Sequence, residues 1–178
     1  MKHLFSRVAI IALGLFVTSS ALADTVILPD ATQSTTFTAT VAEQITVTVP
    51  SGVAFSVDDV NSATAASAAT ITITSMALLS GNHLQISIAP DADAFTAPAG
   101  GTTWAASDVS WNAATGTAIT GSSGTMGATA GTYAVVANCD ANAAACSTSD
   151  LVFTLAAKAS VDQAGDHTLA ATWKFESL

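Results

Sequence analysis

The chain has 178 residues, of which 50% are hydrophobic and only 10% charged, with 13 Asp and Glu against 4 Lys and Arg. That length points to one domain able to bury a substantial core. So few bases exclude nucleic-acid binding by clustered Lys and Arg, and with it a polybasic membrane patch or Arg clamps on phosphate and carboxylate substrates.

Met1–Ala23 reads as an export signal. Lys2 and Arg7 make a positive start, Val8–Val17 is an uncharged apolar run, and Ala21-Leu22-Ala23 supplies the small-x-small pattern for cleavage, so Asp24 opens the mature chain. As a helix, ten residues rise only about 15 Å, short of a ~30 Å hydrocarbon core. No cysteine follows the cleavage site, which argues against a lipoprotein, and no later apolar run is long enough to span a membrane. Cleavage leaves Lys158 and Lys174 as the only bases besides histidine, against all 13 acids, a formal charge of −11. The expected product is exported: periplasmic, extracellular or on the cell surface. Residues 24–34 form a leader, in which Val26-Ile27-Leu28 precedes Pro29. It is expected to dock on its own domain or stay disordered. Strand exchange with a neighbour is the other fate, limited to Thr25–Leu28 because proline lacks a donor.

From residue 35 to 178 the chain alternates with period two. In Thr36–Val41 the odd positions Phe37, Ala39 and Val41 are apolar and threonines fill the rest; Gln44–Val49 repeats this with Ile45, Val47 and Val49. Pro50-Ser51-Gly52 marks a turn, and Val53, Phe55 and Val57 resume. Ile71 and Ile73 follow, then Leu84, Ile86 and Ile88, Leu151, Phe153 and Leu155, and finally Leu169, Trp173 and Phe175. Such alternation with β-branched and aromatic residues predicts strands with one buried face. Trp104, Trp111 and Tyr133 read as large packers in the core or at a sheet edge. Asn112–Ala130, rich in Gly, Ser, Thr and Ala, predicts a long loop or weak hairpin. Turn clusters between the strands, with no helical stripe interposed, predict an all-β single antiparallel two-sheet β-sandwich, Ig-like or jelly-roll-like. The expected core is Phe37, Val41, Ile45, Val47, Phe55, Ile71, Ile73, Leu84, Ile86, Ile88, Trp111, Val135, Phe153, Leu155, Leu169, Trp173 and Phe175.

Few residues offer chemistry. Cys139 and Cys146, the only cysteines, predict a disulfide stapling an inter-strand loop in an oxidising compartment. Asp58-Asp59 and Asp91-x-Asp93 are turn formers by type; calcium is the alternative, and no other cofactor or metal is expected. His83 and His167 read as exposed turn histidines, and no Gly-x-Ser-x-Gly elbow accompanies them, so no catalytic residue is assigned. Lys158 and Lys174 alternate with apolar residues and are expected to point outward, where a charge discourages edge pairing.

Gln33–Val41 followed by Ile45–Val49 resembles the opening of secreted fimbrial and spore-coat-U-like β-sandwich subunits, and Ala164–Trp173 is similar in kind to their last strand. The chain departs from that pattern where a cysteine belongs early in the second strand: Gln44 and Ile45 stand there. The resemblance implies a pilin-like structural or adhesive subunit of a surface fibre or coat, with itself or other surface proteins as partners and no enzymatic activity. The alternative is a secreted binding module presenting loops to a carbohydrate or protein ligand, with a secreted hydrolase as a third class.

Overall fold

In the computed structural model residues 34–178 are described, so the signal segment and all of the leader except Ser34 lie outside the described residues. The chain divides into a stretch ending at Ala39 and a compact unit, Thr40–Leu178. In the latter, twelve strands run in order: β1 (Gln44–Thr48), β2 (Thr64–Ala65), β3 (Thr72–Ala77), β4 (Leu84–Pro90), β5 (Val109–Trp111), β6 (Gly116–Thr117), β7 (Ile119–Gly121), β8 (Gly124–Thr125), β9 (Ala134–Cys139), β10 (Cys146–Thr148), β11 (Phe153–Leu155) and β12 (Ala171–Ser177). Two single 3₁₀ turns, Pro98–Gly100 and Ala106–Asp108, are the helical content of the described residues. No helix among the described residues is long and apolar enough to cross a membrane.

Every pairing is antiparallel, and the all-β expectation holds. Instead of two sheets, however, the strands form three sheets of four, in the orders β1-β3-β10-β6, β2-β11-β5-β8 and β12-β4-β9-β7. The division follows from strand length, since β2, β6 and β8 have two residues each and cannot bridge a wide sheet.

The core gathers Ile71 and Ile73, the β4 residues Leu84, Ile86 and Ile88, Trp104 and Trp111, Val136, and Leu151, Phe153 and Leu155. Burying about six such side chains contributes on the order of 10 kcal/mol before conformational entropy is set against it. Both tryptophans satisfy their one donor: the indole N–H of Trp104 reaches the Ala156 carbonyl at 2.8 Å, and that of Trp111 the Ser122 carbonyl at 2.9 Å. Strand β4 is buried on both faces, with Ser87 and Ala89 on the face opposite its isoleucines.

Several expectations fail, each for a local reason. Thr36–Val41 forms no strand; Phe37 is 93% and Val41 69% exposed, so neither belongs to the core. Val47 lies on an edge strand and stays 37% exposed. Val135 is only half-buried, because Ile86 pairs with Ala137 and Ser87 with Val135; Val136 is the extra residue of a bulge and turns inward instead. A second bulge, at Thr74 in β3, carries Met76 into the core three residues after Ile73. Val53–Val57 keeps its alternation, with Phe55 and Val57 half-buried, but enters no ladder. Ile45, Leu169, Trp173 and Phe175 are half-buried and pack against the core. Asn112–Ala130 is neither a long loop nor a hairpin: it holds β6, β7 and β8, paired with β10, β9 and β5 respectively, and Tyr133 is 41% exposed.

Candidate binding groove

The residues singled out by sequence occupy separate places. Cys139, ending β9, and Cys146, opening β10, form a disulfide with Cα atoms 5.9 Å apart. Both half-cystines are buried, and the bond joins two different sheets. Asp59 shapes its own turn: its carboxylate accepts from the Asn61 amide and side chain, both at 2.9 Å, and from the Ser62 hydroxyl at 3.1 Å. The Asn61 backbone N–H, then the Asn61 and Ser62 side chains, hold that carboxyl below its usual range. Asp58 beside it is exposed. Asp91 accepts from the Thr172 hydroxyl at 2.8 Å and Asp93 from the Ala130 amide at 2.7 Å. The four aspartates are therefore split between turns, and among the described residues no three His, Cys, Asp or Glu side chains converge as a metal site would need.

The lysines are less outward than expected. Lys158 follows β11 instead of lying in a strand, and its ammonium meets Asp108 at 2.8 Å with both side chains about a quarter exposed. Asp108 also accepts from the Ala105 amide at 2.9 Å, which fixes the second 3₁₀ turn. Lys174, on β12, pairs with Glu176 at 2.7 Å and lies 5.2 Å from the centroid of the Tyr133 ring.

Histidine 167 departs most from its expected exposure. It is half-buried, its ring edge-on to Trp104 with centroids 5.2 Å apart. Nε2 lies 3.1 Å from the Gln163 carbonyl, to which it donates, and Nδ1 shares a 2.8 Å hydrogen bond with the Thr103 hydroxyl. Both nitrogens are thus engaged in holding the Gln163–His167 turn. His83 is half-buried as well, and its backbone exchanges hydrogen bonds with Leu178 where β4 begins and β12 ends.

That histidine turn forms one wall of a groove of about 1010 Å³, at the upper end of the size range of ligand pockets. Pro50–Phe55 with Val57 and Val60 also lines it, together with the buried side chains of Ile88, Trp104, Val109, Met126, Phe153 and Leu155, which make its floor. Trp173, edge-to-face with Phe153 at 6.5 Å, lines it too. Charge is confined to Asp162 and Asp166 in the histidine wall, and no Lys or Arg lines the groove. Asp162 is itself engaged by the Thr102 amide at 2.9 Å.

Two backbone runs beside the groove have an unpaired edge among the described residues. Strand β12 is the outer strand of its sheet, and Val53–Val57 belongs to none. An extended apolar segment could find both side-chain pockets and backbone bonds there. Sequence reading missed the groove because its walls come from segments more than a hundred residues apart. The one signal in the chain was Val53, Phe55 and Val57, an apolar alternation after a turn with no obvious partner. In comparisons with known proteins, the chain matches no protein family, no curated protein and no solved structure.

Proposed function

We propose that this protein is an exported structural subunit of a surface fibre or coat, an all-β unit whose copies join through their N-terminal segments. One observation carries the reading: a chain with an apolar groove also leaves an alternating apolar segment uncovered. Phe37 and Val41 are exposed, while the groove walls offer unpaired backbone beside aromatic pockets. A soluble domain rarely leaves a phenylalanine almost wholly in water within an extended Thr-rich stretch unless something covers it. In this proposal Thr35–Val41 of one copy lies in the groove of the next, a head-to-tail contact that repeats without closing.

The test is a variant of the mature chain, Phe37→Ser with Val41→Ser. Wild type is expected to build long assemblies under negative-stain microscopy, and the variant to lose them. A wild type that never exceeds a dimer, or a variant that assembles as far as wild type, overturns the reading.

The polar lip formed by Asp162, Gln163 and His167 favours a second reading, a secreted module that binds a carbohydrate or protein ligand. In that case the chain stays monomeric at every concentration, and a ligand changes the fluorescence of Trp104 and Trp173 in the groove.

A further inference from the structure

We propose that the outer edge of β1 pairs antiparallel with β1 of a second copy across a two-fold axis, a contact separate from the groove. The three sheets present six outer strands, of which β2, β6, β7 and β8 have two or three residues each. Among the described residues only β1 and β12 are outer strands long enough to template another strand, and they differ in how their edges are guarded. Charged side chains on an edge are a common device against unwanted pairing. Strand β12 carries Lys174 and Glu176.

Strand β1 has none of these guards. Gln44-Ile45-Thr46-Val47-Thr48-Val49 is uncharged, contains no proline, and is β-branched at five of its six positions. The bulge in its ladder lies on β3, at Thr74, so β1 itself is regular. Thr46 and Thr48 are exposed, and Val47 remains 37% exposed, left uncovered by its own sheet. The nearest charge, Glu43, is held by its own molecule, accepting from the Leu79 amide at 2.8 Å and the Ser177 hydroxyl at 2.7 Å.

Charge also selects the partner. A chain with 13 acids and 4 bases repels its own copies over most of its surface, and an uncharged strand lets two of them approach without opposing carboxylates. Two-fold antiparallel pairing sets threonines and β-branched residues across from one another, a favourable cross-strand combination. Pro50 ends the pairing strand on one side, because it has no N–H to donate.

Light scattering coupled to size exclusion, on the mature chain carrying Phe37→Ser and Val41→Ser, isolates this contact from groove assembly. That protein is expected to be a dimer, and adding Thr46→Lys with Thr48→Lys is expected to halve its mass. Circular dichroism and an intact Cys139–Cys146 bond verify that the lysine variant is folded. As a second readout, alternate β1 amides are expected to exchange hydrogen more slowly as concentration rises. A monomer without the lysines, a dimer that survives them, or β1 exchange independent of concentration each overturns the proposal. Long assemblies persisting in the Phe37→Ser, Val41→Ser protein refute the groove contact alone, provided the lysine pair still removes lateral pairing within them.

Discussion

Cys139 and Cys146 do more than close a loop of seven residues. Each is almost fully buried, one ends β9 and the other opens β10, and these strands belong to different sheets. The bond therefore restricts the unfolded chain and also fixes the position of one sheet on another. On the chain-entropy estimate, replacing both by alanine costs about 2–3 kcal/mol. Urea denaturation of Cys139→Ala with Cys146→Ala is expected to show an unfolding free energy lowered by that amount and a slope at least as steep as wild type, because the unfolded chain is no longer cross-linked; coincident curves would refute the assignment of stability to this bond. The pairing was legible because the chain has only these two cysteines. The glycines of the same region were not. Gly116 and Gly121 read as loop residues, since glycine weakens strands. Both lie in strands, where a Cβ at Gly116 would strike the Ser147 carbonyl and one at Gly121 the Ala114 backbone. Close approach, set by strands elsewhere in the chain, leaves no local pattern.

At the scale of the element, alternation located β3, β4 and β11 because each buries apolar residues where the pattern says, and it located β12, whose Trp173 and Phe175 are half-buried. Its limit is that period two names a face without naming a partner. Phe37, Ala39 and Val41 alternate as cleanly as Leu84, Ile86 and Ile88, yet only the second set meets neighbours on both sides, β9 and β12. A single extra residue also reverses the pattern, which is why Val136 and not Val135 enters the core. Where β1 begins, Glu43 ties three elements together: it accepts from Leu79 after β3 and from Ser177 at the end of β12, whose hydroxyl also accepts from the Asn82 side chain at 3.0 Å. The Leu79 N–H chiefly, then the Ser177 hydroxyl, lowers the pKa of this carboxyl. A depressed folded-state pKa means stability that is present above the ordinary glutamate range and is lost as pH falls through the folded value. Glu43 is exposed, so the effect is small. Glu43→Gln is expected to lower the melting temperature slightly at neutral pH, and the gap to wild type is expected to close on acidification. A gap that widens in acid contradicts this role for the carboxylate.

For the whole molecule, the decisive quantity is the imbalance of charge and where its few cations go. Beyond Ala23 the chain has two lysines, and each is spent within the fold: Lys158 on Asp108, and Lys174 on Glu176 and the Tyr133 ring. No arginine follows Arg7. Among the described residues no Lys or Arg is left to bridge the carboxylates of another copy, so contacts made by these residues come from apolar burial and backbone hydrogen bonds. The groove, with its aromatic floor and two acids in one wall, and β1, with its uncharged edge, fit that requirement. Long-range electrostatics then opposes association, and screening relieves the opposition: the Debye length falls from about 30 Å at 0.01 M salt to about 8 Å at 0.15 M. Assembly of the mature chain, followed by sedimentation velocity at fixed protein concentration and neutral pH, is expected to increase with sodium chloride over that range. The same rise is expected when magnesium sulfate replaces sodium chloride at equal ionic strength, because the described residues hold no cluster of acids that would reward a divalent cation specifically. Assemblies that dissolve as salt rises would mean that attraction between opposite charges holds the copies together, and both contacts proposed for this chain would then be wrong.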